Sequence, residues 1–339
     1  MNLPLMANPF LPQGYPPLPS LRYDPVMQKL PPGFSIGHAT NKDLNTGVTV
    51  ILPESFATAG VHVMGGAPGT RETDLLSPNQ VVSTIDALVF SGGSAFGLDA
   101  ASGVQAWLRE HDRGYPVVPY RVPIVPAAII FDLRKGHMED WDRYPPYREL
   151  AFEACDKATH APELGQIGAG RGASTATGAG GFGLASMTLE GGITIAAAVV
   201  CNAAGSTHVG ETTSFWAAPF EMGDEFGGRG YPAPWPHDAR RVRTKAGFKE
   251  MENTTLAAVM TDAILTSAEA ERIAMVAHDG FARAIYPVHT PADGDIVFTL
   301  ASEKAGKAPA DMMLFGVAAA NVVARAIAIA VYHGEQQSL

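Results

Sequence analysis

The residues best suited to breaking a bond lie in ENTTLAAVMTDAIL, from Glu252 to Leu265. An Asn-Thr-Thr step, Asn253 to Thr255, stands directly before the apolar run Leu256 to Met260. That run has the pattern of a strand buried on both faces. The segment just upstream, PHDARRVRTKAGFKE, reads as an exposed connection. A hydroxyl at such a seam is placed to cut its own chain. Thr254 Oγ1 would attack the Asn253 carbonyl, the peptide would become an ester, and water would release it. The new terminal Thr would then carry nucleophile and amine on one residue. A free α-amino group has a pKa of about 7.7–8.0, so it can take a proton near neutrality. Taken alone, the tripeptide reads more readily as the start of a strand, where β-branched residues are favoured.

Two acids, Asp293 and Asp295 in HTPADGDIVF, stand just before another strand-like run. Strand alternation would aim both side chains the same way if the pair is already extended. Two close acids can hold different protonation states, which suits orienting a hydroxyl and an amine. The local alternative is an Asp-Gly turn. No His, Cys or acid at ligand spacing accompanies them, so no metal is expected. Asn202 ends the apolar run ITIAAAVVC, where its amide could donate to a developing oxyanion or simply close an Asx turn.

Two glycine signals are set aside. GAGRGA, Gly168 to Ala173, fits the loose G-x-G-x-x-G/A pattern, but STATGAGG follows it where a helix should open. GGSAFG, around Ser94, has Phe96 where a nucleophile elbow needs Gly. Both stretches suit close backbone approach, and no nucleotide or other cofactor is expected.

These residues need a large fold to hold them. The chain has 339 residues, 46% hydrophobic and 17% charged, with 36 glycines, which excludes disorder. A net charge of −10 argues against a nucleic-acid partner. The basic cluster Arg240, Arg241, Arg243, Lys245 and Lys249 reads as a solvated linker. Cys155 and Cys201 are too few for a disulfide scaffold, and Cys201 reads as a small core residue. Residues 1–45 read as an irregular, Pro-rich arm that makes a poor signal peptide, and a cytoplasmic protein is the expectation. Met312 to Tyr332 is apolar enough to raise a membrane question. Arg325 within it favours a buried helix, so no membrane partner is expected.

From residue 46 the pattern is mixed. Short strands cover VTVILPE and VHVMGG, and a helix is expected near Ser77 to Ile85. Strands follow at Asp86 to Gly93 and Val122 to Leu133, with a helix over FGLDAASGVQAWLREHDRG between them. Insertions span 134–164, with a short helix at YRELAFEACDKA, and about 207–249. LASMTLE and ITIAAAVVCN form a strand pair across Gly191-Gly192. After Asn253 the order is strand, helix, strand, helix, with a capping box at Thr266 and Glu269. The expectation is one α/β (α+β) domain over 46–339, its helices covering paired sheets.

Several stretches together resemble one family. GGAPGTRETD, SGGSAFGLDAASGV, RVPIVPAAIIFDL, the Gly165 to Gly183 loop, VVCNAAG, NTTLAAVMTDA and HTPADGDIVF occur in family order. The chain resembles the self-processing L-aminopeptidase/D-esterase (DmpA-type) family, which includes β-peptidyl aminopeptidases and nylon-oligomer hydrolases. The resemblance implies a four-layer αββα sandwich, related to the N-terminal-nucleophile fold. It implies scission into 1–253 and 254–339 and assembly as a homotetramer of processed heterodimers. It implies Thr254 as nucleophile, Asn202 as oxyanion donor and Asp293 and Asp295 beside them. The implied activity is hydrolysis of short peptides, amides or esters with a free amino end, with β-peptides and nylon oligomers as candidates. Two positions depart from the family. Thr177 stands where relatives carry Lys, and Phe131 where they often carry Tyr. Arg171 is the candidate replacement charge, and Phe131, Arg171 and Gly172 are the candidate substrate contacts. An ornithine-acetyltransferase-like transfer to an amine is the alternative chemistry, and a non-catalytic glycine-rich scaffold is the third reading.

Overall fold

The computed structural model describes residues 23–24, 28–133, 141–245 and 253–338. Two sheets stack face to face, and each carries a helix pair on its outer side. The larger sheet has seven strands in the order Tyr23–Asp24, Gly181–Leu189, Thr194–Asn202, Thr254–Thr261, Ile296–Ala301, Ala57–Val63 and Thr84–Ile85. The smaller has five, in the order Phe34–Asn41, Thr46–Pro53, Leu88–Ser91, Ala127–Ile129 and Thr70–Arg71. Helices α1 (Ala100–Glu110) and α2 (Tyr147–Asp156) cover the smaller sheet. Helices α3 (Ser267–Ala284) and α4 (Met312–Ser338) cover the larger one. The order of layers is therefore αββα, as the resemblance implies.

Strand alternation explains how the chain fills these layers. Ile195, Ala197, Val199 and Cys201 face α3 and α4, while Ala196, Ala198 and Val200 face the second sheet. On the neighbouring strand Ala257 and Val259 face the helices, and Leu256, Ala258 and Met260 face inward. Both faces are apolar because both are covered, so the run lacks the polar alternation of a half-exposed strand. Burial raises the Cys201 thiol to about 12, which keeps it neutral in its core position.

Three expectations are corrected. Residues 34–41, assigned to the irregular arm of 1–45, form an edge strand with Phe34 and Ile36 fully buried. Gly37 hides the strand pattern, and it is there because α2 lies directly on it. A Cβ at Gly37 would sit 1.7 Å from the Ala154 carbonyl oxygen. No helix spans Ser77 to Ile85. A 3-10 turn at Asp74–Leu76 and a strand at Thr84–Ile85 stand there instead, since Pro78 and the β-branched Val81, Val82, Thr84 and Ile85 disfavour a helix. Only Ala127–Ile129 of the Val122 to Leu133 run is a strand of the five-stranded sheet, because Pro123 and Pro126 lack ladder donors.

Helix α4 is long and apolar enough to cross a membrane, but its most apolar stretch is 83% buried within the fold. Its Arg325 is fully buried and forms a two-bond pair with Glu225, at 2.5 and 2.7 Å, and donates to Ser186 O at 2.9 Å. Glu225 belongs to the 207–249 insertion, so this pair ties the insertion to the core helix.

Candidate active site

The sheet register brings Asn202 directly opposite Thr254. Both residues continue the inward-facing set of their strands, and both are buried, at 1% and 4% exposure. Opposed side chains on adjacent strands lie within contact distance. The Thr254 hydroxyl donates to the Asn253 carbonyl oxygen at 2.6 Å. The Gly294 N–H donates to the same oxygen at 2.9 Å. The carbonyl of the expected scission point is thus held by two donors, one of them the expected nucleophile.

Gly294 can approach this closely because it has no side chain. A Cβ there would lie 2.7 Å from Thr254 Oγ1 and 2.6 Å from the Ala67 carbonyl oxygen. Asn253 and Asp293 form an isolated parallel bridge, which fixes the acidic loop against the seam.

The two acids do different work. Asp293 Oδ1 accepts from the Ala204 N–H at 3.2 Å, and Oδ2 accepts from the Thr290 N–H and hydroxyl at 2.9 and 2.6 Å. It joins the turn after Asn202 to the loop before Gly294. Asp295 Oδ1 accepts from the Thr255 N–H at 2.8 Å, and Oδ2 meets His289 Nδ1 at 2.8 Å. Burial raises the Asp295 carboxyl above its ordinary value; His289 opposes this and Asp293 adds to it. Among the described residues neither carboxylate hydrogen-bonds the Thr254 hydroxyl.

His289 was not singled out from the sequence, although it opens the HTPADGDIVF stretch. Behind it stand His278, with ring centroids 4.9 Å apart, and His62, 5.2 Å beyond His278. His278 Nε2 lies 3.1 Å from the His62 carbonyl oxygen, and burial lowers its pKa to about 3.

Asn202 is held at both ends of its amide. Oδ1 accepts from Lys245 Nζ at 2.7 Å and from the Ser174 N–H at 3.1 Å. Nδ2 donates to the Phe131 carbonyl oxygen at 3.1 Å. Lys245 Nζ also reaches the Asn202 backbone oxygen at 3.1 Å. A cleft of about 100 Å³ opens here, lined in part by Phe131, Gly172, Ser174, Asn202 and Lys245. Arg171 does not line it, and Arg171 Nε is buried without a partner among the described residues. Thr177 lies elsewhere. It borders a separate cavity of about 590 Å³ with His208, Arg229 and Arg243, which includes neither Thr254 nor Asn202.

The positive charge at Asn202 therefore comes from the segment read as a solvated linker. Arg243 is also engaged, with Asp238 and Glu211, while Arg240 and Arg241 are exposed as expected. Lys249 falls outside the described residues. Ser94 keeps a positive φ of 53°, and among the described residues no base hydrogen-bonds its hydroxyl. The Gly168 to Ala173 loop packs as backbone against strands, a Cβ at Gly170 meeting the Phe182 nitrogen at 2.4 Å.

The family model described as Peptidase family S58 matches residues 32–338. An uncharacterized aminopeptidase of Mycobacterium tuberculosis is 40% identical over 324 residues, covering 89% of this chain and 92% of its own. A 6-aminohexanoate-oligomer endohydrolase of Paenarthrobacter ureafaciens is 28% identical, covering 80% and 74%. Among solved structures, a Burkholderia sp. beta-aminopeptidase superposes with a TM-score of 0.67 at 21% identity, covering 92% and 89%. The L-aminopeptidase D-Ala-esterase/amidase of Ochrobactrum anthropi, described as a variant of the Ntn hydrolase fold, gives 0.64 at 19% identity, covering 91% and 88%. These two structures speak to the fold. None of these comparisons supports the acyltransferase alternative.

Proposed function

This chain belongs to peptidase family S58 and is a peptide-bond hydrolase, and we propose that it cuts itself between Asn253 and Thr254 and then works through the new terminal Thr254. The contact between Thr254 Oγ1 and the Asn253 carbonyl oxygen, at 2.6 Å with Gly294 N–H on the same oxygen, carries this reading. Oγ1 adds to the carbonyl carbon, its proton passes to the Thr254 nitrogen as that nitrogen leaves, and the Gly294 N–H takes up charge developing on oxygen. Collapse breaks the C–N bond, giving an ester and a free amine. Water then cleaves the ester, leaving Asn253 with a carboxylate.

The amine so released is the base for substrate turnover. It takes the Thr254 hydroxyl proton as Oγ1 attacks an amide or ester carbonyl, and it returns the proton to the leaving group. Asn202 donates to the oxyanion, and water clears the acyl-enzyme. Asp293 and Asp295 hold the loop and the Thr255 backbone in register with the nucleophile. Substrates are short peptides, amides or esters with a free amino end. The names of the relatives above extend the candidates to β-peptides and aminohexanoate oligomers. We further read the working form as a cytoplasmic homotetramer of processed heterodimers.

The test is Thr254→Ala. It is expected to run as one full-length band on a denaturing gel and to hydrolyse no aminoacyl amide. Two fragments from that variant would reject the reading.

A further inference from the structure

A primary amide looks the same from both ends until something distinguishes its oxygen from its nitrogen. At Asn202 that distinction is built in. The two groups on the oxygen side, the Lys245 ammonium and the Ser174 N–H, can only donate. The Phe131 carbonyl on the nitrogen side can only accept. Turning the amide over would set NH₂ against an ammonium and oxygen against oxygen. Of these three partners only Lys245 carries charge. A charge-assisted bond to Oδ1 is the stronger kind and polarises the amide, which sharpens Nδ2 as a donor.

Lys245 is also firmly seated. Its own N–H donates to the Ala204 carbonyl oxygen at 3.2 Å, and Nζ reaches Asn202 O at 3.1 Å. It is thus anchored twice to the turn that follows Asn202. Chain scission at Thr254 would leave it on the large chain with those anchors intact.

We propose that Lys245 is a positioning residue for turnover. It holds the Asn202 amide with its nitrogen toward the developing oxyanion and adds positive potential there. This rests on the reading of Thr254 and Asn202 given above. It carries a separate consequence for scission. The Asn253 carbonyl is already held by the Gly294 N–H, so Lys245 serves the second reaction and not the first.

The experiment compares full-length Lys245→Met, Lys245→Arg and Thr254→Ala with the unsubstituted chain. Scission is followed by denaturing gel, and turnover with an aminoacyl-p-nitroanilide that the unsubstituted enzyme cleaves. Lys245→Met is expected to be cut fully, which also reports a correct fold. Its kcat is expected to fall about 10- to 100-fold, with KM within about twofold, a loss below that of deleting an oxyanion donor outright. Lys245→Arg keeps the charge and donors, and is expected to recover most of the loss. Methylammonium added to Lys245→Met is expected to recover part of it. The inference is overturned if Lys245→Met turns over at the unsubstituted rate, loses through KM alone, fails to be cut, or is restored by neither Arg nor methylammonium. Failure of the underlying reading looks different, since Thr254→Ala would then be cut or active.

Discussion

The Gly294 N–H points at the Asn253 carbonyl oxygen from 2.9 Å, and the missing Gly294 side chain is what leaves Thr254 Oγ1 its place. One residue thus supplies a donor and a space. Gly294 is not in a left-handed conformation, so its requirement is room and not backbone freedom.

Gly294→Ala is therefore expected to slow scission sharply. The added methyl would stand 2.7 Å from Thr254 Oγ1, and either the nucleophile or the acidic loop must move. Displacement of reacting groups by about 1 Å can cost on the order of 100-fold. The half-time for appearance of the small chain, followed by gel after synthesis, measures this. Scission at the unsubstituted rate would contradict the assignment.

Buried histidine makes the fold acid-sensitive. The folded pKa of His278 is about 3, below its ordinary value of 6.5. Between those values the unfolded chain binds the proton and the folded chain does not. Stability from this residue is full above the unfolded pKa and is lost as pH falls toward the folded one. The slope is about 1.4 kcal/mol per pH unit for one proton. Denaturant unfolding between pH 7 and 4 is expected to show a shallower acid loss in His278→Asn than in the unsubstituted chain. Equal slopes would contradict the burial account.

The Arg325–Glu225 pair is expected to behave as a buried unit. Glu225→Gln leaves a fully buried guanidinium with a neutral partner and should cost about 3–5 kcal/mol. Arg325→Met combined with Glu225→Met should recover most of this, because neither charge is then stranded. Denaturant midpoints of the single and double variants decide the matter.

The sequence displayed the fold unevenly. The strands around Asn202 and Thr254 were legible because covered sheets need continuous apolar runs. Helix α3 was legible from its capping box, which forms as expected between Thr266 and Glu269. The Phe34–Asn41 strand was hidden by Gly37, whose reason is a helix over a hundred residues downstream. Of the site, Asn202 and Thr254 could be paired only once the register was known. Lys245 was hidden most deeply. Its five-cation neighbourhood has the composition of a solvated stretch, whereas in the fold its N–H bonds the Ala204 carbonyl and its amine reaches Asn202. His289 carried a local clue, six residues before Asp295, but a positive φ of 52° is what folds it back onto that carboxylate.

Intact-mass spectrometry of the purified protein, paired with its hydrolytic rate, tests the central claim most directly. The account predicts two chains, residues 1–253 and 254–339, the smaller beginning Thr-Thr-Leu, with activity rising as the full-length mass disappears. A single full-length mass in fully active material would contradict it.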